Sequence, residues 1–411
     1  MTTDLRIGVL GYGLRGSIAR TAHRPGGGAA VTAVADPDPR ARSDAAAAFP
    51  GARTSADPAA VIEDPDIDAV LVLTPDHTHA DLARRTLLAR KPAFVEKPLA
   101  ITVEGCDAVL RTARATGTRL YVGHNMRHMP VVRLMRELIG AGAIGRVRTV
   151  WVRHFVGHGG DWYFKDWHAE RRHTTGLLLQ KAAHDIDVLH WLAGSYTEDV
   201  QAMGDLMVYG ENPHRRAPGE PRTQDRSTED TDPEDTADTE DRHWPPHTQR
   251  GLNPVIDVED VSLVNLRLAG GVLAAYQQCH FTPDYWRNYT VIGDAGRLEN
   301  FGDGPGAQVR VWNARRSGYR AEPDTTHTVP DADAAGGHGG ADPLLIDEFL
   351  RFVRHGGATD TSPVAARMAV AAGCLATESL RDGGTPRRVP PLDPDLAAYF
   401  DQGQAGSGGG G

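Results

Sequence analysis

Cysteine is scarce and scattered: the 411 residues hold three, Cys106, Cys279 and Cys374, with no pair at disulfide or metal-ligand spacing. That excludes a disulfide framework and a cysteine-held metal, and it predicts a reducing, cytoplasmic setting. Positive charge is in deficit. The formal net charge is −10, whereas a nucleic-acid-binding chain wants a basic face, so no nucleic-acid partner is expected. Long apolar runs are missing, and Met1-Thr2-Thr3-Asp4 offers no basic stretch leading into an apolar one. Neither a membrane partner nor a secretory leader is therefore expected. A chain of this length divides most naturally into two domains.

What is present starts at once. Leu5 to Leu10 has the pattern of a strand, Gly11-Tyr12-Gly13-Leu14-Arg15-Gly16 follows, and Ser17 to Ala22 has the pattern of a helix. This is G-x-G-x-x-G in the strand–turn–helix context that dinucleotide binding requires. Gly11 permits the turn, Gly13 lets a pyrophosphate approach the backbone, and Gly16 lets the helix pack on the sheet. The helix start supplies free N–H groups for phosphate. All six residues are candidate cofactor contacts, although the motif alone is a weak signal. The next strand, Val31 to Ala35, ends in Asp36 at the distance expected for a carboxylate on the adenosine ribose. A carboxylate there accepts from the ribose hydroxyls and repels a 2′-phosphate, so NAD is expected, with NADP as the alternative. Asp36 as a simple cap before Pro37 is the competing reading.

Two further apolar strands end in polar groups. Ala69 to Leu73 leads into Thr74-Pro75-Asp76-His77-Thr78-His79, and a second run leads into Phe94-Val95-Glu96-Lys97-Pro98. The carboxyl ends of such strands line the crevice where doubly wound folds bind ligands. Thr74, Pro75, His77, His79 and Glu96 are therefore candidate cofactor contacts, with a helix-start role the alternative for His79. Lys97 at such an edge can exchange a proton with a substrate oxygen, and an ordinary surface ion pair is the alternative. Leu120 to Gly123 closes the strand–helix alternation, which implies a parallel sheet over residues 1–125. Beyond about residue 128 a helix, Pro130 to Ala141, is followed by alternating strands and tight turns such as Gly270-Gly271. These imply a second domain over 126–395 with a large, mainly antiparallel open sheet. The fold class is thus α/β, a Rossmann-type doubly wound parallel sheet plus an α+β domain. Residues 210–254 form an acidic insertion, poor in apolar residues over Glu220 to Asp241 and expected to be disordered. Residues 396–411 should be a flexible tail.

A helix over Leu177 to Leu192 carries polar residues in an apolar frame. Gln180 and His184, four apart, share a face, and Asp187 is placed to orient His184. Histidine exchanges protons near neutral pH. His184, Asp187 and His190 are helically spaced, but with no supporting cluster no metal is expected. Trp162, Trp167 and His168 lie in the preceding loop, where aromatic faces suit a pyranose or, equally, pack at an interface.

Taken together, Gly11-x-Gly13-x-x-Gly16, Asp36, Thr74-Pro75-x-x-x-His79, Glu96-Lys97-Pro98, Asn125-x-Arg127 and the His184 helix resemble the Gfo/Idh/MocA family in order and spacing. The resemblance implies hydride transfer between a nicotinamide and a ring carbon of a sugar, cyclitol or related polyol. It implies Lys97 and His184 as the acid–base pair, Asn125 and Arg127 near the nicotinamide, and a homo-oligomer, dimer or tetramer, formed through the open sheet. Many members carry an aspartate four residues before the histidine. Here Gln180 stands there, followed by Lys181, so an amide and a second ammonium join the expected substrate contacts. That departure keeps open a redox-neutral enzyme with retained NAD, giving epimerisation, elimination or glycoside cleavage. A non-catalytic cofactor-binding regulator is the third reading.

Overall fold

A computed structural model describes residues 3–157, 159–220, 244–330 and 339–404. The chain divides into two units, 1–125 with 342–370 and 392–411, and 126–341 with 371–391.

The first unit is built on short strands of Val, Leu, Ile, Ala and Phe: β1 Leu5–Leu10, β2 Ala29–Ala35, β3 Arg53–Ser55, β4 Ala69–Val72, β5 Ala93–Glu96 and β6 Leu120–Gly123. Every residue of β4, β5 and β6 is buried, the mark of a parallel sheet covered on both faces. The order is β3-β2-β1-β4-β5-β6, with every pairing parallel. This is the dinucleotide-binding order, whose switch point lies between β1 and β4.

One of the covering helices comes from far along the chain. The helix Ala341–His355 sets Leu345, Ile346, Phe349 and Phe352 into the core with Ile7, Val9, Phe94 and Tyr121. Phe349 meets Phe94 edge-on at 5.5 Å. The division expected at 126–395 is therefore corrected: 342–370 and 392–395 belong with the Rossmann sheet. An apolar helix face records that it must be buried, not which sheet buries it. The expected tail at 396–411 is corrected over its first part. The helix Pro394–Asp401 buries Leu396 and Phe400, and the Gln404 amide exchanges two hydrogen bonds, 2.7 and 2.8 Å, with the Leu120 backbone on edge strand β6. Residues 405–411 lie outside the described residues.

The second unit is organised on nine strands: β7 Val147–Phe155, β8 Thr197–Asp205, β9 Val261–Leu268, β10 Leu273–Cys279, β11 Trp286–Gly293, β12 Arg297–Phe301, β13 Gln308–Trp312, β14 Thr325–Thr328 and β15 Arg387–Arg388. Their order is β14-β13-β12-β11-β7-β10-β9-β8-β15. All pairings are antiparallel except β7 with β10. Register separates two faces. Met203 opposes Leu263, Leu263 opposes Gln277, and Trp151 opposes Ala275 and Thr290 on the outer face. The inner face holds Val152, Tyr276 and Tyr289 in one row. Ser262, Gln278, His154 and Arg287 form the next.

The flanks of the acidic insertion are packed, which corrects its expected limits of 210–254. Tyr209 and Leu252 are buried with Phe164 and Ile256, and Phe164 stacks on Tyr209 at 4.1 Å. The Asn212 amide donates to the carbonyls of Pro246 and Gln249 at 3.0 and 3.2 Å. Apolar and amide-bearing residues at both ends supply what the acidic stretch lacks. Residues 221–243, which carry nearly all of the expected disorder, lie outside the described residues.

Candidate functional site

In the first unit the glycine loop follows β1. Gly11 has φ +84, and a Cβ on it would fall 2.9 Å from the Leu73 carbonyl oxygen at the end of β4. Any side chain there would be strained twice over, by conformation and by contact. At Gly13 a Cβ would meet nothing within 4 Å, so the space above the turn is open for close approach by a pyrophosphate. Gly16 gives room for a different neighbour than expected. Its missing Cβ faces the Tyr12 ring at 3.3 Å rather than the sheet. Asp36 ends β2 with both carboxylate oxygens fixed, one accepting from Tyr12 N and the other from Asp38 N, each at 2.8 Å. Its remaining lone pairs fit ribose hydroxyls. Asp38 caps the helix Pro39–Ala48, so the capping role belongs to Asp38. These residues fit a dinucleotide.

Arg15 and Glu96 hold one another. Arg15 Nε donates to Glu96 Oε1 at 2.7 Å, and its Nη1 lies 3.2 Å from Asp342 Oδ2. Burial works against the charge on Arg15, but Glu96 and Asp342 more than offset it and raise its pKa. The other Glu96 oxygen accepts from the Lys97 N–H at 2.8 Å. Glu96 therefore fixes the backbone of Lys97, which is half-buried at the end of β5 and joined to Pro98 by a cis peptide bond. Asp342 also accepts from Asn125 Nδ2 at 2.9 Å. Asp342 carries no sequence signal, since it lies 327 residues beyond Arg15.

His79 is 1% exposed, with Nδ1 2.7 Å from the Pro98 carbonyl and Nε2 2.7 Å from the Thr74 carbonyl. It braces the ends of β4 and β5 at the start of the helix His79–Leu88. Burial lowers its pKa against the pull of those two carbonyls. Thr74 and Pro75 are half-buried and His77 is exposed. Thr74 Oγ1 accepts from the Thr78 hydroxyl at 2.6 Å.

In the second unit the expected helix is split. Helices Leu177–Gln180 and Ala182–Ala193 meet at Lys181. Gln180 and His184 are both more than nine-tenths buried. The two acids flanking His184 tie its helix down. Asp187 receives Arg127 bidentately, at 2.7 and 2.8 Å, both residues buried. That geometry resists rotation and is the strongest form of such a pair. Arg127, expected near the nicotinamide, thus has its guanidinium engaged within the second unit. Asp185 accepts from His154 Nδ1 at 2.8 Å, Tyr276 OH at 3.1 Å and Tyr289 OH at 2.5 Å, with Arg287 Nε at 3.1 Å. Burial would raise the Asp185 pKa, but Arg287 and His154 pull it well below the carboxylate range. Burial and Arg287 hold His154 down at about 3, so it is neutral and donates from Nδ1.

Sequence reasoning missed this cluster. Its signal is alternation, because His154, Gln278 and Arg287 occupy inward positions on β7, β10 and β11, where apolar residues are the rule. Burial and Arg287 likewise push the Lys181 amine down to about 7. In the loop, the Trp167 ring stacks on His168 at 3.8 Å, giving one aromatic face to that contact. Trp162 is 36% exposed. His190 Nε2 lies 2.7 Å from the Thr197 hydroxyl. Among the described residues no three His, Cys, Asp or Glu side chains are grouped to hold a metal, and no helix is long and apolar enough to cross a membrane.

Residues 5–124 match the family model described as an oxidoreductase family with an NAD-binding Rossmann fold, and residues 136–388 match its C-terminal alpha/beta domain. The chain belongs to the Gfo/Idh/MocA family. Inositol 2-dehydrogenase 2 of Saccharopolyspora erythraea is 36% identical over 192 residues, 46% of this chain and 54% of that one. The alignment therefore spans about half of each protein. The structure of levoglucosan dehydrogenase with NADH and levoglucosan is similar, with a TM-score of 0.73 at 21% identity over 94% of this chain and all of the other. WlbA dehydrogenase of Bordetella pertussis, with NADH and UDP-GlcNAcA, gives 0.71 at 21% over 96% of this chain and all of that one. At such identity these two structures speak for the fold. The first unit is the family's NAD-binding domain.

Proposed function

We propose that this chain is an NAD-dependent dehydrogenase acting on a secondary hydroxyl of a sugar, cyclitol or related polyol. The observation that carries the proposal is Lys97. It is a half-buried lysine at the carboxyl end of a Rossmann strand, its N–H held by a carboxylate that is itself clamped by the glycine-loop arginine. The inositol dehydrogenase and levoglucosan dehydrogenase relatives favour the substrate class.

Gly11 to Gly16 and Asp36 would hold NAD, which when bound supplies the hydride acceptor. The chain supplies the proton chemistry. Lys97 Nζ takes the hydroxyl proton as the carbon gives up its hydride, and returns it in the reverse direction. His184 is the second proton-handling group, on a helix that Asp185 and Asp187 hold in place. The Gln180 amide has no basic nitrogen, so it binds a substrate hydroxyl and does not act as a base. Trp162 offers an exposed ring to the apolar face of a pyranose.

The outer sheet face supports self-association. Trp151, Met203, Leu263 and Leu273 are each at least half exposed there, the kind of patch that marks an interface. We propose that two or four copies associate through it.

The test is nicotinamide absorbance on a panel of polyols, inositols and aldoses, with sedimentation for the oligomer. Substrate-dependent reduction of NAD is the expected result. Transient reduction that reverts without net NADH would reassign the enzyme to redox-neutral chemistry, and no reduction by any compound would remove the dehydrogenase reading.

A further inference from the structure

Among the described residues, no carboxylate pairs with the amine of Lys181. Its amine lies 5.4 Å from the centre of the Tyr163 ring, which offers an aromatic face but no countercharge. The charged groups around it are already engaged. Asp185, four residues on, is surrounded by donors from β7, β10 and β11. Asp303 accepts from Tyr285 OH at 2.5 Å and lies 3.4 Å from Arg287 Nη1. Arg287, buried between these two acids, repels the amine. His154 and His280 are buried and held neutral, so neither brings a charge. On the same inner face the Tyr276 hydroxyl is the donor toward both Asp185 Oδ2 and Gln278 Oε1, each at 3.1 Å. Lys181 is half-buried as a residue, and its amine is desolvated.

Its place in the chain matters as much. Lys181 keeps helical dihedrals, φ −86 and ψ −45, and precedes His184 by three residues. Side chains so spaced on a helix are neighbours, with Cβ atoms roughly 5–6 Å apart. A substrate whose hydroxyl meets His184 would hold an adjoining substituent on the side of Lys181. A desolvated cation without a counterion is costly, and a ligand that supplies the anion removes the cost.

We propose that Lys181 is a receptor for a carboxylate on the substrate, so that the substrate class is a sugar acid or carboxylated cyclitol rather than a neutral polyol. This rests on the reading of His184 as a substrate contact. It has a protonic consequence. Burial and Arg287 leave the free amine only partly charged near neutrality, and a bound carboxylate restores the charge. Acid binding then takes up a proton and weakens as pH rises, whereas neutral sugars bind without either effect.

The experiment is calorimetry on the NADH-loaded full chain with D-glucuronate against D-glucose and D-galacturonate against D-galactose. Titrations run at about pH 6, about pH 7 and about pH 8.5, below, within and above the amine's transition, in two buffers of different ionisation enthalpy. At least one acid should bind about tenfold or more tighter than its neutral partner at the lower pH, with measurable proton uptake near neutrality. K181M should lose both the preference and the uptake. K181R, whose guanidinium stays charged, should keep the preference and lose the uptake, and it guards against a K181M that fails to fold. Acids that bind no tighter than neutral sugars, or not at all, would overturn the proposal, as would a preference that survives in K181M. The dehydrogenase reading is judged separately by absorbance. An acid that binds through Lys181 without reducing NAD removes that reading and leaves this one, and a neutral polyol oxidised with no advantage to acids does the reverse.

Discussion

In the first unit Lys97 is placed by backbone: a buried strand ends, and Glu96 grips the Lys97 N–H from the neighbouring position. In the second unit His184 is placed by side chains drawn from distant strands. Arg127 holds Asp187, and His154, Tyr276, Tyr289 and Arg287 converge on Asp185. The difference teaches where each unit should be fragile. Backbone placement survives loss of the reactive side chain, so substituting it removes chemistry and little else. A buried ionic cluster is strongly coupled, so substituting one member disturbs the whole fold around it.

The largest effect should come from Lys97→Ala. NAD binding should persist while turnover falls by about 10²–10⁴-fold, the scale of a positioned acid–base group. Fluorescence titration of NAD alongside steady-state rates would show the split, and loss of NAD affinity in step with turnover would mean that Lys97 anchors the cofactor. Asp185→Asn should act on the other unit in the opposite manner. Leaving Arg287 and His154 without their carboxylate should cost about 3–5 kcal/mol of stability, read by denaturant unfolding. A variant as stable as the parent would show that the cluster is not a framework.

Buried neutral histidines set the acid limit. His154 is held at about 3 and His190 at about 4, each chiefly by burial. The unfolded chain protonates these rings as pH falls through about 6.5 and the folded chain does not, so unfolding gains free energy on acidification. Stability should fall from about pH 6.5 toward pH 4 by roughly 1 kcal/mol per pH unit for each ring. The depressed Asp185 adds its loss only below about pH 4, the unfolded carboxylate value. A melting temperature flat across that window would contradict the buried neutral assignment. The smallest effect concerns the cofactor. Asp36→Ser should shift preference toward NADP by about tenfold, near 1.4 kcal/mol, and an unchanged ratio of the two affinities would return Asp36 to a purely structural role.

Motifs that act through local backbone were legible in the sequence. The glycine turn, Asp36 and the Glu96-Lys97-Pro98 strand end each need only neighbours within a few tens of residues, and all lie where the strand–helix alternation puts them. The nine-stranded sheet was legible in outline from alternation and the Gly270-Gly271 hairpin. What escaped depends on long-range pairing. Asp342 reaches Arg15 from the far end of the chain, and the helix Ala341–His355 covers the first sheet rather than the second. His79 reads as a crevice residue until both ring nitrogens are found against backbone carbonyls. His154, Gln278 and Arg287 each break the inward apolar alternation of their strand, but that they form one row shows only once strand register sets the three side by side.

The proposed function rests most heavily on Lys97 and His184 serving one proton transfer. Single-turnover rates with a substrate deuterated at the oxidised carbon, measured for Lys97→Ala, His184→Ala and the double variant, test it most directly. Each single variant should lose a comparable factor, and the double should lose much less than their product. Strictly multiplicative losses would show that the two side chains act on separate steps and would contradict the account.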